Sequence, residues 1–241
     1  STAYIIMTNP LVSIIIPVWN QAEKISDCLE SLLTQSFSDW EVIVVNDGST
    51  DDIASVIERF QPRFPSGRFH FFSKQNEGSN PTRNYGAERA RGSFLLFSDA
   101  DITFKPTALE TMYTVLADNP DKSFAYCSFR YGSKLFRLFP YDEERLRRMP
   151  YIHSTSLIRR EHFPGFDNSI RRLQDWDLWL TMLREGHTGI WIDSVLFDVK
   201  TGGHISSWLP KAAYKILPFL PAVKKYKESM ARIKLKHGLE A

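Results

Sequence analysis

The chain has 241 residues, 43% of them hydrophobic and 24% charged, with a formal net charge of +2. This is an ordinary globular composition, long enough for a core that needs no disulfide staples. The small net charge excludes a global nucleic-acid field, and no apolar run reaches the length that crosses a bilayer.

The N-terminal stretch lacks a basic start and a long apolar core, so no secretory signal is expected. Residues 1–10 read as a lead-in. The only cysteines are Cys28 and Cys127, without a CxxC or Cys–His signature. Both are expected to be buried apolar thiols of a reducing cytosol.

Val12 to Val18 is an apolar run that suits a strand buried on both faces. Asn20 reads as a helix cap with Glu23 as its capping-box partner. Ile25, Leu29, Leu32 and Leu33 then share one helix face. Glu41 to Val45 predicts a second strand, followed by the turn Asn46-Asp47-Gly48-Ser49. The next helix aligns Ile53, Val56, Ile57 and Phe60, with Asp51 as its cap. Phe69 to Ser73 predicts a third strand. Pro81 reads as the first position of a helix that Gly92 stops. Phe94 to Ser98 predicts a fourth strand, and Pro106 opens a helix with Leu109, Met112, Tyr113 and Leu116 aligned.

The second half is less regular. Ser123 to Phe129, Lys134 to Phe139 and Tyr151 to Ile158 read as strands. Tyr141 to Met149 and Asp175 to Arg184 read as helices. The βα alternation of the first half argues for a mostly parallel sheet flanked by helices. Ligands of such sheets lie at the carboxyl ends of the strands, where Asp47, Asn76 to Arg83 and Asp99 to Asp101 should gather.

Asp99-Ala100-Asp101 carries the most chemistry. Two carboxylates flank a small residue just after a buried strand, which suits a hard cation such as Mg²⁺ or Mn²⁺ bridging protein to phosphate. Read alone, the same residues also make an Asx-rich turn that caps the next helix.

The motif has company. Ser13-Ile14-Ile15-Ile16-Pro17 runs into Val18-Trp19-Asn20, and Val44-Val45-Asn46-Asp47-Gly48-Ser49 follows. Then come Asn76-Glu77-Gly78, Arg83-Asn84-Tyr85-Gly86, Ala90-Arg91-Gly92, Phe97-Ser98-Asp99-Ala100-Asp101 and Gln174-Asp175-Trp176-Asp177. In order and spacing this resembles the family 2 glycosyltransferases over about residues 11–206. The resemblance implies a GT-A fold, with a nucleotide-binding half over about 11–105 and an acceptor half over about 106–206.

It also implies roles. Pro17, Val18 and Trp19 would line the nucleoside pocket, with Asn76 nearby. Asp47 would accept a hydrogen bond from the base. Arg83 would contact the nucleotide from a facing loop. Asp99 would hold the ribose or sugar beside the metal, and Asp101 would ligate a divalent metal, Mn²⁺ or Mg²⁺. Asp175 would be the general base of an inverting transfer from a nucleoside-diphosphate sugar, by default a UDP-sugar, to a carbohydrate or lipid-linked acceptor.

Other readings stand beside these. Asp175 also suits a helix N-cap, and Asp177 is its rival, two positions on and pointing elsewhere. His204 in Gly202-Gly203-His204 is either a metal ligand or a structural histidine, and His153 is a weaker candidate for the acceptor cleft. Trp176 suits either an acceptor contact or the core, and Trp179 the core.

The chain departs from the family pattern at Gln174, where glutamate is commoner, and at Pro164-Gly165-Phe166-Asp167, where Gly-Gly-Phe-Asp is usual. It lacks the Gln-x-x-Arg-Trp motif of processive synthases, so single addition is expected. Residues 207–241 form a basic tail. From Ile205 onward eight Lys or Arg face only Glu228 and Glu240, with aromatics interleaved. Such a segment either rests on an anionic membrane surface or packs its apolar side on the domain. A cytoplasmic protein, peripheral at the inner face in the first case, is expected. Two other classes remain open: a sugar-phosphate nucleotidyltransferase, although no Gly-rich loop follows the first strand, and a non-catalytic nucleotide-sugar-binding module. A dinucleotide oxidoreductase is disfavoured, because no GxGxxG opens a helix after a strand.

Overall fold

The computed structural model describes residues 10–201 and 221–239. Every side chain of β1 (Val12–Val18) is buried, which places that strand inside the sheet. It pairs in parallel with β2 (Trp40–Asp47) on one side and with β4 (Phe94–Phe97) on the other. β3 (Phe69–Lys74) adds in parallel to β2.

Alternation sends the β1 side chains to opposite layers. Ile14 and Ile16 pack with α1 (Ala22–Leu33), α2 (Ile53–Phe60) and α4 (Ala108–Asp118). Ile15 packs in a second core with α3 (Ser79–Arg89) and α6 (Gln174–Arg184).

The sheet then changes character. β8 (Leu157–Arg159) runs antiparallel to β4, and β6 (Phe124–Tyr131) antiparallel to β8. β9 (Gly189–Val199) is parallel to β6, β5 (Ile102–Phe104) antiparallel to β9, and the short β7 (Lys134–Phe136) pairs with β6. The spatial order is β3-β2-β1-β4-β8-β6-β9-β5. Strands β1 to β4 pair with one another in parallel; antiparallel pairs enter with β5 and the second half, where β6 and β9 are again parallel. A short α5 (Glu143–Arg148) and the C-terminal α7 (Pro221–Lys236) complete the described elements.

Local physics corrects several expectations. Asn20 does not cap α1. It adopts a left-handed φ of 51°, and its Oδ1 accepts the Thr50 amide at 2.8 Å. The α1 amide at Ala22 instead donates to Asp51 Oδ2 at 2.8 Å, so Asp51 serves α1 and not the helix after it. Helix α3 begins at Ser79, two residues before Pro81. Gly92 is no helix stop either. Its amide donates to Ser13 Oγ, and a Cβ there would sit 2.7 Å from the Ser13 nitrogen. Residues 151–156 form no strand, because local bonds compete with the ladder. The Thr155 amide donates to His153 Nδ1, and Ser156 Oγ donates to the His153 carbonyl. Strands β5 and β9 were not foreseen.

Both cysteines are buried and free, as expected. Burial pushes each thiol up to about 12, which leaves them unreactive.

Candidate functional site

The carboxyl ends of β1, β2 and β4 open onto a cleft of about 290 Å³. Pro17, Val18 and Trp19 line it from β1, Asp47 from β2, Asn76 from the loop after β3, and Asp99 from the loop after β4. The sequence thus placed six expected residues on one cavity. Trp19 keeps 46% of its surface exposed beside it.

Asp47 is held from below. Its Oδ1 accepts Lys74 Nζ at 3.0 Å and the Glu77 amide at 3.0 Å, and its Oδ2 accepts the Gly78 amide at 2.9 Å. Burial works against its charge, yet these hydrogen bonds hold the carboxyl below the usual carboxylate range. Asn76 Nδ2 donates to the Asp47 carbonyl at 2.9 Å. Gly48, at φ 71°, lets the turn come this close, since a Cβ would lie 2.9 Å from the Asn76 nitrogen. Asp47 therefore fixes the 76–78 loop.

Arg83 stands in α3, not in a facing loop. Its guanidinium is buried, lies 5.4 Å from the Phe166 ring, and donates to Asp99 Oδ1 at 2.6 Å. Burial alone would raise Asp99, but the Arg83 charge and, less, His153 hold its carboxyl low.

Asp101 is the opposite case. It is buried, and its Oδ1 finds no hydrogen-bond partner among the described residues. Burial, aided by the Asp99 charge, pushes its carboxyl up to about 6. An orphaned buried carboxylate oxygen beside a second carboxylate fits a divalent cation that takes its remaining ligands from phosphate and water. Among the described residues no third acid, histidine or cysteine joins them. His204 lies outside the described residues.

Asp175 is the second residue of α6 and is half-buried. Burial raises its carboxyl above the usual carboxylate range; the Trp176 amide and the Arg83 charge oppose this, and the Asp99 charge adds to it. The Asp99 charge therefore acts on both Asp175 and Asp101, while Arg83 acts on Asp175 and on Asp99. His153 joins them. Burial pushes its ring down to about 4 against the pull of Asp99. Its Nδ1 accepts the Thr155 amide at 3.0 Å, so the neutral ring carries its proton on Nε2. Phe129 and Phe197 flank the ring at 5.0 and 5.3 Å. Its sequence neighbourhood held no motif that could have raised it above a weak candidate.

Trp176 is not an acceptor contact. It is fully buried, and its indole donates to the Leu146 carbonyl at 2.6 Å. Trp179 stacks on Phe124 at 4.4 Å, in the core as expected. Asp177 turns away from the cleft and is buried against Lys236 and His237.

The glycosyl transferase family 2 model matches residues 13–176 of the chain. An uncharacterized glycosyltransferase of Rickettsia typhi, RT0329, is 31% identical over 79% of this chain. This chain spans 62% of that relative's length. The putative teichuronic acid biosynthesis glycosyltransferase TuaG of Bacillus subtilis is 29% identical, with 87% of each chain covered. Among solved structures, S. aureus TarS 1–349 with UDP-GlcNAc superposes with a TM-score of 0.72 at 18% identity, over 93% of this chain and 66% of that one. The mannosyltransferase PcManGT of Pyrobaculum calidifontis with GDP-Man and Mn²⁺ gives 0.67 at 20% identity, over 96% and 64%.

Proposed function

The chain belongs to glycosyl transferase family 2 and has the GT-A fold, and from that premise we propose that it moves a sugar from a nucleoside diphosphate to an acceptor hydroxyl with inversion. The nucleoside sits in the cleft of Pro17, Val18, Trp19 and Asp47, and UDP is the nucleotide assigned. Asp101, with Asp99, would hold a Mn²⁺ or Mg²⁺ ion, which when bound would supply positive charge for the leaving diphosphate. Arg83 keeps Asp99 ionised and aimed at the donor. Asp175 takes the proton of the acceptor hydroxyl. As it does, that oxygen forms its bond to C1, and the C1–O bond to the diphosphate breaks on the opposite face, its electron pair leaving with the nucleotide. The anomeric configuration is thereby inverted.

The placement of Asp175 carries this reading: a half-buried carboxyl, raised by burial, that feels both Arg83 and Asp99. A base needs a pKa above the ordinary carboxylate range to accept a hydroxyl proton efficiently. The test is nucleotide release. Asp175→Asn should abolish release of nucleoside diphosphate from a sugar nucleotide while UDP still binds; undiminished release would sink the base assignment, and pyrophosphate as the product would favour a nucleotidyltransferase.

For the acceptor we assign a cell-surface carbohydrate or its lipid-linked precursor, at the cytoplasmic face of a membrane. TuaG's name points to such a glycan. The outward side of α7 supports it: Lys224, Lys225, Lys227 and Arg232 are exposed around Leu235, which is 84% exposed. Cations flanking an exposed leucine suit an anionic lipid surface. Among the described residues no helix is long and apolar enough to cross a membrane. A salt-insensitive chain with no affinity for anionic vesicles would retire this part.

A further inference from the structure

The first turn of α6 is weakly anchored by its own sequence. Its N-cap is Leu173, in a left-handed conformation at φ 57° with no side-chain cap. Helix starts usually gain an Asp, Ser or Thr cap at this position. Here the carboxyl of Asp175 itself accepts the Trp176 amide at 2.8 Å. A group that must take a substrate proton is a poor permanent cap.

Two anchors from elsewhere meet around this turn. From the donor side, α3 grips the preceding loop. Asn80 Nδ2 donates to the carbonyls of Asp167 and Ile170, and Asn84 exchanges two bonds with the Phe166 backbone. From the other side comes the C-terminal helix. Lys236 Nζ lies 2.8 Å from Asp167 Oδ2 and 2.8 Å from the Asp177 carboxylate. His237 Nε2 lies 2.8 Å from Asp177 Oδ1, and since a carboxylate only accepts, that nitrogen donates. Asp177 and the His237 side chain are both nearly inaccessible to solvent.

Simple packing of α7 needs none of this. Val223 and Ile233 are fully buried and Met230 packs on the same core. The polar clamp adds something that apolar contact does not: a fixed register. It ties the loop before α6 to a residue two positions past Asp175.

We propose that Lys236 and His237 are positioning residues for the transfer reaction, fixing the first turn of α6, and with it the backbone that carries Asp175, against the loop before it. This rests on the reading of Asp175 as the base. The C-terminal segment is then a strut of the active site, and its loss lowers turnover more than nucleotide binding.

Three variants of the full chain test it: Lys236→Gln, Lys236→Arg and the pair Asp177→Asn with Lys236→Gln, which leaves no buried charge unpaired. Nucleotide release is followed with UDP-GlcNAc, UDP-glucose and GDP-mannose plus Mn²⁺, and UDP affinity by calorimetry. Lys236→Gln and the pair should lower kcat by about tenfold or more, the scale of a small misplacement of a reacting group, with UDP affinity within twofold. Lys236→Arg should restore most of the rate. Amide exchange over residues 174–178 should speed up in the first and third variants while residues 12–18 stay protected. Unchanged kcat and exchange, equal losses of kcat and UDP affinity, or no recovery with arginine each overturn the clamp. Asp175→Asn is run beside them. If it keeps full turnover, the base reading has failed, and a speeding of exchange without it shows a clamp on a helix that holds no base.

Discussion

Arg83 Nη2 donates to Asp99 Oδ1 at 2.6 Å from a nearly inaccessible position, while Asp99 faces the cleft. One buried cation thus backs a carboxylate of the cleft wall. Arg83→Met would strip the charge that keeps Asp99 ionised and leave the Phe166 ring without its guanidinium. The expected loss is about 2 kcal/mol of stability, the scale of a charged hydrogen bond, seen as a lower urea midpoint. Donor KM should rise with it. A variant of unchanged midpoint and KM would remove Arg83 from the site.

Asp175→Asn separates chemistry from binding. Turnover should fall by about 10²- to 10⁴-fold, the usual contribution of a positioned base, with the UDP dissociation constant nearly unchanged. The pH dependence follows from the raised carboxyl. The base acts only when ionised, so kcat should fall as pH drops through a value above the ordinary carboxylate range. Stability has the opposite sign: a raised carboxyl binds its proton better in the folded state, so the contribution is present at low pH and lost as pH rises. Asp175→Asn should therefore melt slightly higher than the parent at neutral pH.

Asp101 is the residue whose removal should uncouple metal from nucleotide. UDP with Mn²⁺ should raise the melting temperature of the parent more than UDP alone, since a ligand that binds only the folded state stabilises it by mass action. In Asp101→Asn the Mn²⁺ increment should vanish while the UDP increment stays. An equal Mn²⁺ increment in the variant would reject Asp101 as a ligand.

Glu41 governs acid stability far from the cleft. Its side chain is fully inaccessible. Ser13 Oγ donates to it at 2.6 Å, and the Arg91 amide and side chain donate at 2.8 Å each. Burial raises this carboxyl, but those bonds outweigh it and hold it below the ordinary range. A depressed carboxyl gives stability that is present above the unfolded-state value and lost as pH falls through the folded one. Glu41→Gln should cost about 3 kcal/mol at neutral pH and flatten the loss of stability on acidification. Urea midpoints at neutral pH and near pH 4 read both effects.

The sequence by itself determined the parallel half of the sheet. Three buried strands and the half-buried β3 show as apolar runs, and chain order plus helix spacing puts their carboxyl ends together. Asp47, Asn76 and Asp99 followed from that; Pro17, Val18 and Trp19, and the family, followed from the resemblance of the motifs, and all six line the cleft. Hydrophobic periodicity is a local signal, however, and it is silent on partners far along the chain. Strands β5 and β9 owe their places to each other and to β6, so no single run announced them. Asp51 takes the duty expected of Asn20 because the turn after β2 reaches the start of α1. Trp176 takes the core place and not an acceptor contact because the Leu146 carbonyl, 30 residues earlier, accepts a hydrogen bond from its indole N–H. Only the tertiary structure decided that Arg83 backs Asp99, that His153 shares their field, and that Lys236 and His237 return from the far end of the chain to Asp177. These are contacts between polar atoms whose geometry depends on how the whole sheet closes, and composition and spacing carry no record of that.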